Sequence, residues 1–124
     1  MIKLTLSEVY ELHEKLIAIT GGSPGIRDKG LLESAVFGCY QSFGGVDFYP
    51  TVIEKAARIA YAISKNHPFV DGNKRVAVTA MLLILRLNGI VLSFKQQELV
   101  ALGLGIADGS LSYNDIVNWI NRHL

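Results

Sequence analysis

The sequence predicts an all-α fold, a compact bundle of about six helices around one buried central helix. Three observations carry that reading. A Ser or Thr followed three residues later by Glu or Asp, the spacing that caps a helix start, recurs at Thr5/Glu8, Thr51/Glu54 and Ser112/Asp115. Behind those starts, apolar residues return at intervals of three and four rather than two. Finally, Val76 to Leu85 is apolar on every side with only Thr79 interrupting, a pattern that suits a helix surrounded by other helices.

Taken in order, the first helix starts after Thr5, carries Val9, Leu12, Leu16 and Ile19 on one face, and stops at Gly21-Gly22-Ser23-Pro24-Gly25, a turn-forming run. Asp28 caps a second helix through Leu31, Leu32, Ala35, Val36 and Cys39, which weakens towards Gly44-Gly45. Thr51 opens a third, with Ile53, Ala56, Ala57, Ala60 and Ile63; its alanines allow a neighbouring helix to approach closely. Pro68 disfavours helical geometry at His67, so the third helix ends there. The fourth runs from Asn73 to Leu87 and is closed by Asn88-Gly89. Ile90 to Phe94 reads as a short extended segment or turn, followed by helices over about Gln96 to Ala107 and Asn114 to His123. No repeat, low-complexity tract or linker interrupts the chain, and one domain over residues 1–124 is expected.

Composition sets the outer limits. At 124 residues, half of them apolar, the chain is long enough for a single real core. Twelve basic and eleven acidic residues leave a net charge of +1, which argues against a general electrostatic affinity for nucleic acid or acidic membrane. One cysteine, Cys39, forms no internal disulfide and suits a reducing cytosol. The first residues lead straight into a polar helix start rather than an apolar signal region. Val76 to Leu85 is too short to span a bilayer and ends at Arg86. A soluble cytoplasmic domain is expected.

The chemistry is concentrated in His67-Pro68-Phe69-Val70-Asp71-Gly72-Asn73-Lys74-Arg75, between the third and fourth helices. Phe69 is a large apolar group in a polar turn, and burying it would pin the loop. Gly72 leaves room for a ligand at the backbone. Asn73, Lys74 and Arg75 occupy the first turn of the central helix, where the helix dipole disfavours cations by about 0.3–1 kcal/mol each. Their placement makes sense if an anion sits between them and the free backbone N–H groups, and phosphate is the obvious candidate. Asp71 beside a phosphate site suits Mg²⁺, which takes one or two protein carboxylates plus phosphate oxygens. Histidine titrates near neutrality, so His67 is the candidate base. Base, metal carboxylate and phosphate site together specify a hydroxyl attacking a nucleotide phosphate. Each part also has a bland reading: a capped turn, solvated charges, a histidine at a helix end. Their conjunction ahead of the most buried helix favours a site.

This segment resembles the signature of the Fic/Doc superfamily, and looks closest to the death-on-curing (Doc) toxins of bacterial toxin–antitoxin modules. Fic adenylyltransferases carry His-x-Phe-x-(Asp/Glu)-Gly-Asn-Gly-Arg-x-x-Arg; here Lys74 replaces the second glycine and Val78 the final arginine, both as in the Doc pattern. The stretch from Gly25 to Ala35 also looks like the Doc-type start of a second helix. The resemblance implies an all-α fold and ATP-dependent transfer to a protein Ser or Thr hydroxyl. It implies γ-phosphate transfer for Doc-like chains, with elongation factor Tu as target and translation arrest as outcome, and AMP transfer for Fic enzymes. It further implies His67 as the base, Asp71 as the Mg²⁺ ligand, Asn73 in the anion hole, and Lys74 and Arg75 on phosphates. The partner implied is an antitoxin whose C-terminal helix fills an apolar groove. The alternatives are an adenylyltransferase and a non-catalytic antitoxin-binding module.

Other features are weaker. Ser7 to Leu12 fits only half of the internal inhibitory motif found in some Fic proteins, and capping explains it better, so inhibition from outside is expected. His13-Glu14 lacks the second histidine of a zinc-protease motif, since Ile17 stands there. Gly44 to Tyr49 corresponds to a family flap that aligns the target chain by strand-like pairing; a loop with Phe48 and Tyr49 packed inward is the equal alternative. Arg27 either reaches the active site or pairs with a nearby carboxylate.

Overall fold

The computed structural model describes residues 1–124. Six helices account for most of the chain: α1 (Leu6–Thr20), α2 (Lys29–Gly38), α3 (Val52–Asn66), α4 (Asn73–Leu87), α5 (Gln96–Asp108) and α6 (Tyr113–Arg122). The all-α expectation is met. Thr5 and Ser112 form full capping boxes with Glu8 and Asp115, Asp28 accepts from Leu31 N–H, and Thr51 accepts from Glu54 N–H. These local bonds satisfy N–H groups that no preceding turn can reach, which is why they fix the helix starts.

One cluster of 26 buried apolar residues forms the core. α4 contributes Val76, Ala77, Val78, Ala80, Met81, Ile84 and Leu85, as its all-round apolar sequence demands. The centre is shared, however. α3 packs on α2, α4, α5 and α6, most extensively on α4, because Ala56, Ala57, Ala60 and Ala62 are small enough to let those neighbours in. The ends are tied down: the Asn88 side chain pairs with both backbone groups of Ile2, and Ser93 N–H donates to His123 C=O at 2.8 Å.

Between α2 and α3 a small antiparallel hairpin pairs β1 (Ser42–Phe43) with β2 (Val46–Asp47). The strands pair with each other, and the alternative of Phe48 and Tyr49 packed inward is not met. Phe43, Val46 and Phe48 are exposed, and Tyr49 is only half-buried, edge-on to Tyr113. The interior position is taken instead by Lys55 of α3, which is buried and donates to the Asp47 carboxylate at 3.0 Å and to Tyr49 C=O. An ammonium there needs acceptors, and the hairpin supplies them.

α3 stops at His67 and α4 begins at Asn73, so the loop between them lies where the two most closely packed helices meet. The Gly25–Asp28 segment runs against it. Arg27 and Asp28 N–H both donate to Pro68 C=O at 2.7 and 3.0 Å, and Val70 N–H donates to Gly25 C=O at 3.1 Å. Phe69 is completely buried and lies flat on the His13 ring, with centroids 3.9 Å apart.

Candidate active site

His67 caps α3 in a left-handed conformation (φ 51°, ψ 53°) and is the one non-glycine residue with positive φ. Such a residue costs about 1–2 kcal/mol and persists only where its surroundings fix it. Arg27 does much of that fixing. Its Nε donates to His67 C=O at 2.7 Å and its terminal nitrogen to Asn66 C=O at 2.8 Å. Arg27 therefore neither enters the site nor pairs with a carboxylate, contrary to both expectations. The last carbonyls of a helix lack internal partners and attract a cation.

Asn73, buried at the first position of α4, holds the other side of the loop. Its Oδ1 accepts from Phe69 N–H at 2.9 Å, and its Nδ2 donates to Phe69 C=O and toward His67 Nδ1, each at 3.0 Å. The Phe69 N–H fixes which end of the amide is oxygen, so the His67 ring receives a donor at Nδ1. A neutral imidazole in that arrangement carries its proton on Nε2. The Asn73 side chain is thus spent on the loop, and its backbone N–H is what remains for an anion.

Gly72, itself at φ 80°, caps α4 with no side-chain hydrogen bond. The backbone N–H groups of Asn73, Lys74 and Arg75 find no acceptor in the protein. The two cations behave differently. Lys74 is exposed and makes no ion pair. Arg75 turns to the end of α1, where one guanidinium nitrogen donates to Thr20 Oγ1 and, at 3.4 Å, to Gly21 C=O.

Asp71 accepts from Ser23 N–H at 3.1 Å and from Gly72 N–H at 2.8 Å, one bond on each carboxylate oxygen. Those N–H bonds, Ser23 first, hold its carboxyl below the usual range. Each oxygen keeps a further lone pair. The group is an ionised carboxylate close to the N-terminus of α4, a donor set that fits Mg²⁺ completed by phosphate and water. Gly22 is needed beside it, since a Cβ there would lie 2.6 Å from Asp71 Oδ2. His13 completes the support, with Nε2 donating to Asp71 C=O at 2.8 Å. Nothing in the sequence spacing marks His13 or Arg27 for this work.

The residues picked out from sequence come together. His67, Asp71, Gly72, Asn73, Lys74 and Arg75 line one cavity of about 400 Å³, joined by Ser64 of α3 and Ala107 of α5. Those last two come from other turns and other helices, and sequence reasoning missed them. Lys74 and Arg75 also border a second groove of about 420 Å³ between α1, α4 and α5. Its walls include Leu16, Leu99 and Val78, where the Fic signature has its final arginine, and the half-exposed Val100 and Leu104. No helix is long and apolar enough to cross a membrane.

Comparison with known proteins agrees with this geometry. The model of the Fic/DOC family matches residues 3–85. The chain is similar to the protein kinase doc of Escherichia phage P1, 33% identical over 122 residues that cover 98% of this chain and 95% of the phage protein. It is also similar to the toxin Doc of Mycolicibacterium smegmatis, 42% identical over 73 residues, or 59% of this chain and 56% of that protein. The chain belongs to the Fic/DOC family, close to the Doc toxins, as its signature implied.

Proposed function

We propose that this chain is the toxin of a toxin–antitoxin module and acts as an ATP-dependent protein kinase on a Ser or Thr hydroxyl, with elongation factor Tu as the target. The names of its two relatives, a protein kinase and a toxin, support the class. One structural observation carries the chemistry: the uncapped N-terminus of α4 opens into the cavity that also holds His67, Asp71 and an unpaired Lys74. Three backbone N–H groups, a helix dipole and an ammonium converging on one point suit the phosphates of a nucleotide.

In the proposed step the acceptor oxygen attacks the γ-phosphorus, the bond from that phosphorus to the bridging oxygen breaks, and ADP leaves. His67 takes the hydroxyl proton. Because Asn73 holds the ring with its proton on Nε2, His67 becomes a base at its outward nitrogen only in the other tautomer, which gives up the Asn73 contact. Asp71 would hold Mg²⁺, which neutralises charge developing on the phosphate oxygens. The N–H groups of Asn73, Lys74 and Arg75 steady those oxygens, and Lys74 adds its charge. Val78 supports phosphate transfer over AMP transfer, since an apolar, buried side chain stands where the adenylyltransferase signature places a phosphate-binding arginine. The antitoxin, as a helix, has a candidate seat in the apolar groove between α1, α4 and α5.

The test is to incubate the purified protein with elongation factor Tu and ATP labelled at the γ or the α position, with mass spectrometry on the target. A gain of one phosphate from the γ label supports the kinase, and a gain of AMP supports the adenylyltransferase. No modification, together with undiminished toxicity of His67→Ala, leaves the non-catalytic module.

A further inference from the structure

We infer that Ser64 is a ligand of the bound phosphate chain, a positioning residue for the proposed kinase reaction on which this assignment rests. Two side-chain polar atoms are sealed from solvent without a hydrogen-bond partner, Arg58 Nε and Ser64 Oγ. Arg58 has an explanation, since its guanidinium lies over the faces of Tyr49 and Tyr61 at 5.5 and 5.9 Å. Ser64 has none within the protein.

A hydroxyl in a helix ordinarily bonds the carbonyl four residues back, and this protein does so elsewhere. Thr20 Oγ1 donates to Leu16 C=O at 2.6 Å and Thr79 Oγ1 to Arg75 C=O at 2.7 Å. Ser64 makes no such bond. Instead it lines the cavity that contains His67, three residues on along the same face of α3, and the open N-terminus of α4. The other polar groups around that cavity are the free N–H donors of α4, the Lys74 ammonium, His67 and the Asp71 carboxylate, a set that suits an acceptor-rich anion bound together with a cation. A turn about χ1 would carry the Ser64 hydroxyl from its sealed position into that cavity, where it can donate to a phosphate oxygen and end its isolation. A hydrogen bond to a charged partner is worth enough to change affinity about tenfold or more.

Ser64→Ala separates this from a structural role, because alanine is the better helix former and removes an unpartnered polar group. The ligand-free variant should melt at or slightly above the wild-type temperature. Calorimetry with Mg·ATP, and with Mg·tripolyphosphate as a probe lacking the nucleoside, should show affinity about tenfold weaker for both. In the kinase assay the KM for ATP should rise by a similar factor while kcat holds, the signature of lost uniform binding. Binding that Ser64→Ala leaves unchanged, or a variant that melts well below wild type with normal binding, overturns the assignment and leaves the kinase reading standing. Failure of the wild-type protein to bind either probe overturns both.

Discussion

Replacing Asn73 by alanine tests whether the catalytic loop is held by that one amide. The substitution removes the acceptor of Phe69 N–H, the donor to Phe69 C=O and the donor to His67 Nδ1. Phe69 is fully buried, so both of its backbone groups lose their partners in a dry place. An unsatisfied buried backbone group costs about 1–3 kcal/mol, which gives roughly 2–6 kcal/mol for the pair. Alanine returns at most about 0.7 kcal/mol through helix propensity, and water entering beside the exposed His67 relieves part of the rest. A loss of about 2–4 kcal/mol is expected, a large share of the roughly 5–15 kcal/mol typical of a domain. Urea unfolding read by circular dichroism measures it, with His67→Ala as comparator. That second variant removes only the bond to an exposed ring and should cost under about 1 kcal/mol. If Asn73→Ala proves no less stable than His67→Ala, the amide does not hold the loop, and the tautomer assigned to His67 loses its basis.

Other outcomes follow from the same structure. His123 bridges Glu98 at 3.0 Å and Trp119 C=O at 2.7 Å; the Glu98 carboxylate raises the imidazole pKa, and the imidazole lowers that of Glu98. The histidine contribution is complete below its ordinary pKa of 6.5 and is lost as pH rises through the raised folded value. That of Glu98 is complete above 4.5 and is lost as pH falls through its lowered value. Melting temperature should therefore be best supported between those two pH values and fall on the alkaline side more in wild type than in His123→Gln; parallel profiles from pH 5.5 to 8 would refute the clamp. Gly22→Ala places a Cβ 2.6 Å from Asp71 Oδ2 at a φ of +112°, so it should destabilise by more than the ~1 kcal/mol expected of Gly44→Ala, whose Cβ meets open space, and weaken Mg·ATP binding as well. Lys55→Met removes the donor to Asp47 and Tyr49 C=O; amide exchange across Ser42–Asp47 should accelerate while α4 stays protected, and an unchanged hairpin would show that Lys55 does not hold it.

What the sequence made legible was whatever is decided within one turn of the chain. The cap at Thr5 matches the structure because it is a contact between residues three apart, and the boundaries of α4 at Asn73 and Leu87 match because Gly72 and Asn88-Gly89 are local stop signals beside them. The later ends were less sharp: α5 runs one residue past the expected Ala107, and α6 lies one residue earlier at both ends. α2 was expected to fade towards Gly44 but stops at Gly38, because the chain beyond it turns into a hairpin anchored by Lys55, eight residues after its partner Asp47. The cavity residues were legible as a contiguous motif. Their supports were not. His13 and Arg27 act on carbonyls 58 and 40 residues away, and no local pattern tells a histidine or an arginine whose carbonyl it will meet.

Those distant supports bear on why the N-terminus of α4 faces the cavity without a cap. Asp71 stands one residue before the Gly72 cap position, and a carboxylate there has N–H groups of the first helical turn close by. A freely moving Asp71 would tend to occupy them, since helix starts favour acidic caps. Instead Ser23 N–H holds Oδ2, Gly72 N–H holds Oδ1, and His13 holds the carbonyl of the same residue. Arg75, a donor that could not accept from those N–H groups, is held apart by its own bonds to Thr20 and Gly21. All three restraining contacts from outside the loop, at His13, Thr20–Gly21 and Ser23, come from α1 and the turn that follows it. The Asp71 carboxylate is thereby kept from quenching the donors of α4, and a helix whose donors are protected from an internal anion is ready for an external one.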